Sequence, residues 1–153
     1  MSEAPAETGT PDQPTGEELL ALFTSMNAGT LGERMGIEFL EASPGRVVAR
    51  MPVEGNTQPY GLLHGGASVV LAETVGSVAA ALHAGRDRIA VGLDINSTHH
   101  RGVRSGYVTA TTTPLSQGRS VATYDVAIVD DEGRRVNTSR ITCMLRDAPP
   151  QAT

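Results

Sequence analysis

A chain of 153 residues, 39% apolar and 19% charged, is large enough for one domain with a real core. A formal charge of −5 and a pI near 5.3 argue against a nucleic-acid partner, because phosphate backbones call for a basic surface. Cys143 is the only cysteine, which excludes an intrachain disulfide and a thiolate metal cluster and points to a reducing compartment.

Residues 1–14 carry too little apolar surface to offset ordering entropy, so a disordered tail is expected there. The stretch has neither the basic nor the apolar region of a secretory signal, and a cytoplasmic protein is expected. A single domain over 15–146 and a loose tail over 147–153 complete the expected organisation. "TGEELLALFTSMNAG" reads as a short amphipathic helix, with Thr15 and Glu18 at capping-box spacing and Asn27-Ala28-Gly29 as its stop. "MGIEFLEASPGRVVARMPV" reads as two strands about a turn at Ser43-Pro44-Gly45. In the second strand Val47, Ala49 and Met51 alternate with Arg46, Val48 and Arg50. A loop from Asn56 to Leu63 leads into an apolar helix from Gly66 to Ala84. Three β segments follow, Ile89 to Arg101, Gly106 to Leu115 and Arg119 to Val129. A turn at Asp130 to Gly133 then precedes a last strand, Arg135 to Arg146. Strands outnumber helices and do not alternate with them, so the class is α+β, closing in an antiparallel meander.

The apolar helix raises a chemical question, because Glu73 sits near its middle. Val69, Val70, Leu71, Val75, Val78 and Leu82 cover nearly every direction around the axis, which predicts burial on all sides. Membrane burial is disfavoured by the marginal length and by Glu73, so the expectation is a curved sheet wrapped around the helix. Gly66, Glu73 and Ser77 share one stripe. The Gly65-Gly66 start lets a ligand approach free backbone amides, a setting for a negative or polarised oxygen. Gly66 and Glu73 lie roughly 10 Å apart along one axis. If amides and acid act on one reaction centre, they come from two chains.

These residues carry a resemblance. "QPYGLLHGGASVVLAETVGSVAA" resembles the signature of hotdog-fold thioesterases, most closely the phenylacetic-acid-degradation type and its 1,4-dihydroxy-2-naphthoyl-CoA thioesterases. "VGLDINSTHHRGVRSGYV" and "SQGRSVATYDVAIVDDEGRRVNTSRIT" are similar to the segments that follow it there, so the likeness spans about Met35 to Arg146. It implies the hotdog fold and a homodimer with active sites at its interface, pairing into a homotetramer. The implied reaction is hydrolysis of an aromatic acyl-CoA, with coenzyme A as part of the substrate and neither cofactor nor metal. It implies Glu73 as nucleophile or general base and the Gly65 amide as polariser of the thioester carbonyl. Gln58 and His64 would orient that carbonyl, and Ser77 would support Glu73 or the water. His99 aligns with a histidine often seen in the close subgroup and would touch an aryl group.

Arg101, Arg104, Arg119 and Ser120 are candidates for the phosphates of coenzyme A, since guanidinium groups suit phosphate. Solvated strand ends explain each arginine equally well. His64 can equally be a helix cap. His99 and His100 are neighbours on a predicted strand and point to opposite faces, a poor arrangement for one metal. Competing readings are a non-catalytic acyl-CoA-binding protein, a hotdog dehydratase or hydratase, and a thioesterase that edits aryl-carrier proteins.

Overall fold

The computed structural model describes residues 14–149. The expected N-terminal tail up to residue 13, and the last four residues of the expected C-terminal tail, lie outside that range. Helix α1 (Gly16–Met26) begins as its sequence demands: Thr15 Oγ1 accepts from the Glu18 amide at 3.2 Å, and the Glu18 carboxylate accepts from the Thr15 amide at 2.7 Å. Both amides would otherwise be orphans at the helix start. A single-turn helix, α2 (Leu31–Arg34), follows and was not expected, because four residues carry no periodicity to read.

Strands β1 (Glu38–Ser43) and β2 (Arg46–Pro52) flank the expected turn, where Gly45 takes a φ of +83° that disfavours a side chain. Val47, Ala49 and Met51 are fully buried, as their alternation predicted. Helix α3 (Gly65–Ala84) is followed by β3 (Arg88–His99), β4 (Tyr107–Gln117), β5 (Val121–Asp130) and β6 (Arg135–Asp147). Together the strands form one antiparallel six-stranded sheet in the order β1-β2-β4-β5-β6-β3. β6 extends to Asp147, and the Ala148 amide donates to Asp87 O at 3.1 Å, so regular structure continues past the expected boundary at residue 146.

Two expectations change. First, only β4, β5 and β6 form a meander. β3 pairs with β6 instead of β4, at the far edge of the sheet. The chain from β3 crosses the end of the helix through residues 100–106, too long a span for a tight hairpin. Second, the curved sheet packs around α3 as expected, but within one chain the helix is not buried on all sides. Ala67, Leu71, Ala72, Val75, Ala79 and Ala80 are buried against Tyr124, Val126, Ile128 and Ile141. Val69, Val70, Glu73, Thr74, Ser77 and Val78 are only half-buried. Within the described residues, α3 is the one helix long and apolar enough to cross a membrane by length and composition, and it is the core helix of this fold.

Candidate active site

The N-terminus of α3 is built by the loop before it. Asn56 Nδ2 donates to Met35 O and Pro52 O, and the His64 amide donates back to Asn56 O at 2.9 Å. Gln58 closes a tight inner turn: its amide donates to Leu62 O at 2.8 Å, and its side-chain oxygen accepts from the Tyr60 amide. Arg104 Nη1 braces the turn from outside through Tyr60 O at 3.2 Å. This gives Arg104 a structural task where a phosphate contact was expected.

His64 is the N-cap. Its Nδ1 accepts from the Gly66 amide at 2.8 Å, so one of the two amides expected to be free is taken. The Gly65 amide, by contrast, has no hydrogen-bond partner among the described residues. A cavity of about 360 Å³ opens beside it, lined by Gln58, Leu62, Gly65, Ser68, His99 and Arg101 among others. His100 also lines it. The strand ends at His99, so the strict alternation that was to separate the two histidines does not apply. His99 nevertheless turns towards Asn137 and His100 towards Thr138, at 3.0 and 2.9 Å.

His99 is packed against the helix start, where a Cβ on Gly65 would stand 2.9 Å from its Nε2. A buried polar cluster holds the ring from behind. Asn137, fully buried, donates through Nδ2 to Ser97 Oγ at 2.7 Å and meets His99 Nδ1 at 3.0 Å. Ser139 Oγ donates to Asn137 Oδ1 at 2.7 Å and lies 2.8 Å from Ser97 Oγ. An amide nitrogen only donates, so Nδ1 is the acceptor and the neutral ring carries its proton on Nε2, facing Gly65. Sequence reasoning missed Asn137 and Ser139, since a polar residue in a strand gives no sign of which face is buried.

Glu73 lies eight residues down the helix from Gly65, about 12 Å along the axis. It has no ion-pair partner among the described residues. Burial pushes its carboxyl above the ordinary carboxylate range, and the Ser77 hydroxyl draws it part of the way back. Cys143, fully buried in β6, is the third member of the group. Burial raises its thiol pKa, the nearby Glu73 charge raises it further, and Ser77 opposes both. Gly92 of β3 lies directly against the Glu73 carboxylate.

The expected substrate-binding residues divide between the two ends of the molecule. His99 and Arg101 stand by the start of α3. Arg119 and Ser120 occupy the β4–β5 turn at its other end, where His83 of the last helical turn meets Gly118 O at 2.9 Å. There Arg88 donates to Arg119 O at 2.7 Å and the Leu145 amide donates to Ser120 O at 2.8 Å. Both side chains remain exposed. Within one chain the two sets cannot hold the same end of one ligand.

Known proteins bear on this arrangement. The sequence profile of the thioesterase superfamily matches residues 60–137, from the loop before α3 into β6. A proofreading thioesterase, EntH of Cronobacter turicensis, is 42% identical over 124 residues, which cover 80% of this chain and 90% of that one. Among solved structures, thioesterase HI1161 of Haemophilus influenzae superposes with a TM-score of 0.81 at 37% identity, covering 92% of this chain and 96% of that one. A mutant of thioesterase PA1618 of Pseudomonas aeruginosa gives a TM-score of 0.80 at 35% identity, with 92% and 98% covered. The helix-on-sheet architecture, the matched segment and these relatives together assign the chain to the thioesterase superfamily, with the hotdog fold and thioester hydrolase activity.

Proposed function

We propose that the chain hydrolyses an aromatic acyl-CoA at sites shared between two copies, with Glu73 as base or nucleophile. The observation that carries this reading is the division of labour along α3. One end offers an unpartnered amide at Gly65 beside a cavity, and two turns down stands a half-buried carboxylate with no cation to neutralise it. The groups are too far apart to meet on one carbonyl from within one chain.

A second copy supplies what one chain lacks. β3 is an edge strand of 12 residues with Val91 and Leu93 exposed, and the adjoining face of α3 is half bare. Such an edge is a template for pairing. Antiparallel pairing of β3 with its copy sets each chain's His99 end beside the other's Arg88 end. The Gly65 amide, Gln58, His64, His99 and Arg101 of one copy then face Glu73, Ser77, Arg119 and Ser120 of the other. Two such pairs would make the homotetramer.

In this reading the thioester carbonyl oxygen docks on the Gly65 amide at the positive end of α3, where negative charge develops during attack. Water adds to the carbonyl carbon as Glu73 takes its proton. The tetrahedral intermediate collapses with cleavage of the C–S bond, and the thiolate leaves and is protonated. A carboxyl pKa raised by burial makes a better base near neutral pH. Attack by Glu73 itself, through a mixed anhydride, conserves the same atoms. One turnover in labelled water tests for the anhydride: label on Glu73 requires an anhydride cleaved at the Glu73 carbon, whereas label in the released acid is the outcome of direct attack or of cleavage at the acyl carbon.

The likeness to EntH favours a second reading, in which the thioester cleared is a misacylated one on a carrier protein. A thiol-release screen over aryl-CoA, alkyl-CoA and aryl-carrier thioesters separates the two substrates. In that screen Glu73→Ala is expected to lose about 10²- to 10⁴-fold in turnover, the usual worth of a positioned base. Full turnover by Glu73→Ala would remove the carboxylate from the mechanism.

A further inference from the structure

We propose that Gly92 is a positioning residue for the hydrolysis: its missing side chain is the socket that seats the Glu73 carboxylate. The inference rests on the reading of Glu73 as base or nucleophile. Gly92 lies in β3 opposite Cys143 of β6, at the start of a bulge between Gly92 and Asp94. Its φ is not in the left-handed region, so the backbone conformation does not call for glycine. Glycine also weakens a strand interior, and an alanine or valine would suit an edge strand better.

Close approach is the remaining reason, and a single group makes it. A Cβ at this position would overlap Glu73 Oε1 and stand 3.4 Å from Cδ and 3.7 Å from Oε2; no other residue's heavy atom comes as near. The carboxyl group therefore rests on bare backbone. Ser77 and Cys143 stand close by. Among the described glycines Gly32, Gly76 and Gly106 are crowded in a similar way, but by Asn27, Ile141 and Asp131, none of which the proposed reaction uses. At Gly92 the neighbour is the reacting acid. The bulge that begins there turns the strand at the same point, a common device for aiming a group beside a site.

With alanine at 92, either the carboxylate swings out of its seat or the strand moves away from it. The test is a double-mutant cycle on the thioester that the wild type turns over fastest. Gly92→Ala is expected to lower kcat by about a hundredfold, the loss that a misplacement of about 1 Å produces, with KM changed by less than about threefold. Glu73→Asp withdraws the carboxylate by one methylene and empties the socket. In that background, adding Gly92→Ala is expected to cost less than about threefold further. An equal loss in both backgrounds would make Gly92 a structural glycine only, and an unchanged kcat in Gly92→Ala would likewise overturn the proposal.

If Gly92→Ala fails to fold, thermal denaturation of Gly92→Ala/Glu73→Ala decides. Recovery to the Tm of Glu73→Ala alone supports the socket, and a double variant that also fails to fold overturns it. Full turnover in Glu73→Ala would instead sink the assignment of the acid. Loss of turnover there, with Gly92→Ala unaffected, would sink the socket alone.

Discussion

The two faces of α3 obey different rules. The inner face is small and apolar, with Ala67, Leu71, Ala72, Val75, Ala79 and Ala80 buried against the sheet. Even Gly76 is there to admit Ile141. The outer face keeps valines at Val69, Val70 and Val78 but interrupts them with Glu73, Thr74 and Ser77, and stays half open. Apolar surface left half exposed beside an unpaired edge strand marks a place for another molecule. One face of a single helix therefore stabilises the chain, and the other is the face to which the proposed function assigns the chemistry and the contact with a second copy.

Breaking the inner face should cost stability and little else. Leu71→Ala removes a fully buried side chain and should destabilise the protein by about 2–5 kcal/mol, read from denaturant midpoints. The kcat of the remaining folded protein should be unchanged. Breaking the outer side should do the reverse. Leu93 is 52% exposed in the single chain, so Leu93→Lys should leave monomer stability nearly untouched while placing a charge on the pairing edge. Sedimentation should then show monomers, with turnover falling as the protein is diluted. A fully active monomer would refute the shared site.

A third test uses the cost of the acid itself. Burial holds the folded-state pKa of Glu73 above its ordinary value of 4.5. The stability contributed by this group is therefore present below the ordinary value and lost as pH rises through the raised one. Glu73→Gln cannot ionise. It should be more stable than the wild type at neutral pH, with the gap closing in acid, as followed by denaturant titrations across pH. The wild type's kcat/KM should fall on the acid side as the same carboxyl is protonated, at a pH above the usual carboxylate range. The smallest effect is expected far from α3. The Arg46–Glu41 pair is 55% and 45% exposed, so Arg46→Ala should cost under about 1 kcal/mol and leave turnover alone.

Local signals in the sequence were reliable because their causes are local. The Thr15–Glu18 capping box, the turn at Gly45 and the alternation of Val47, Ala49 and Met51 each depend on residues a few positions apart. The position of β3 was not legible, since its partners in β6 lie 38 to 59 residues further along and hydrophobic pattern does not name partners. The helix misled for a related reason. Apolar residues all round predict burial but do not say whether the cover is the chain's own sheet or a copy's. At the site, Glu73 stood out as an acid in an apolar helix. Gly92 and Asn137 did not, because what distinguishes them is a neighbour remote in sequence. The fate of the two amides turned on a single rotamer, that of His64.

The burial of Cys143 has a practical and a biological consequence. A thioester hydrolase makes a free thiol at every turnover, and an accessible cysteine would invite disulfide exchange with that product or its oxidised form. Here the lone thiol is enclosed between β6 and α3, and its pKa is raised, so little reactive thiolate is present. The folded protein should stay silent towards aromatic disulfide reagents, leaving such a reagent free to count released product without labelling the enzyme.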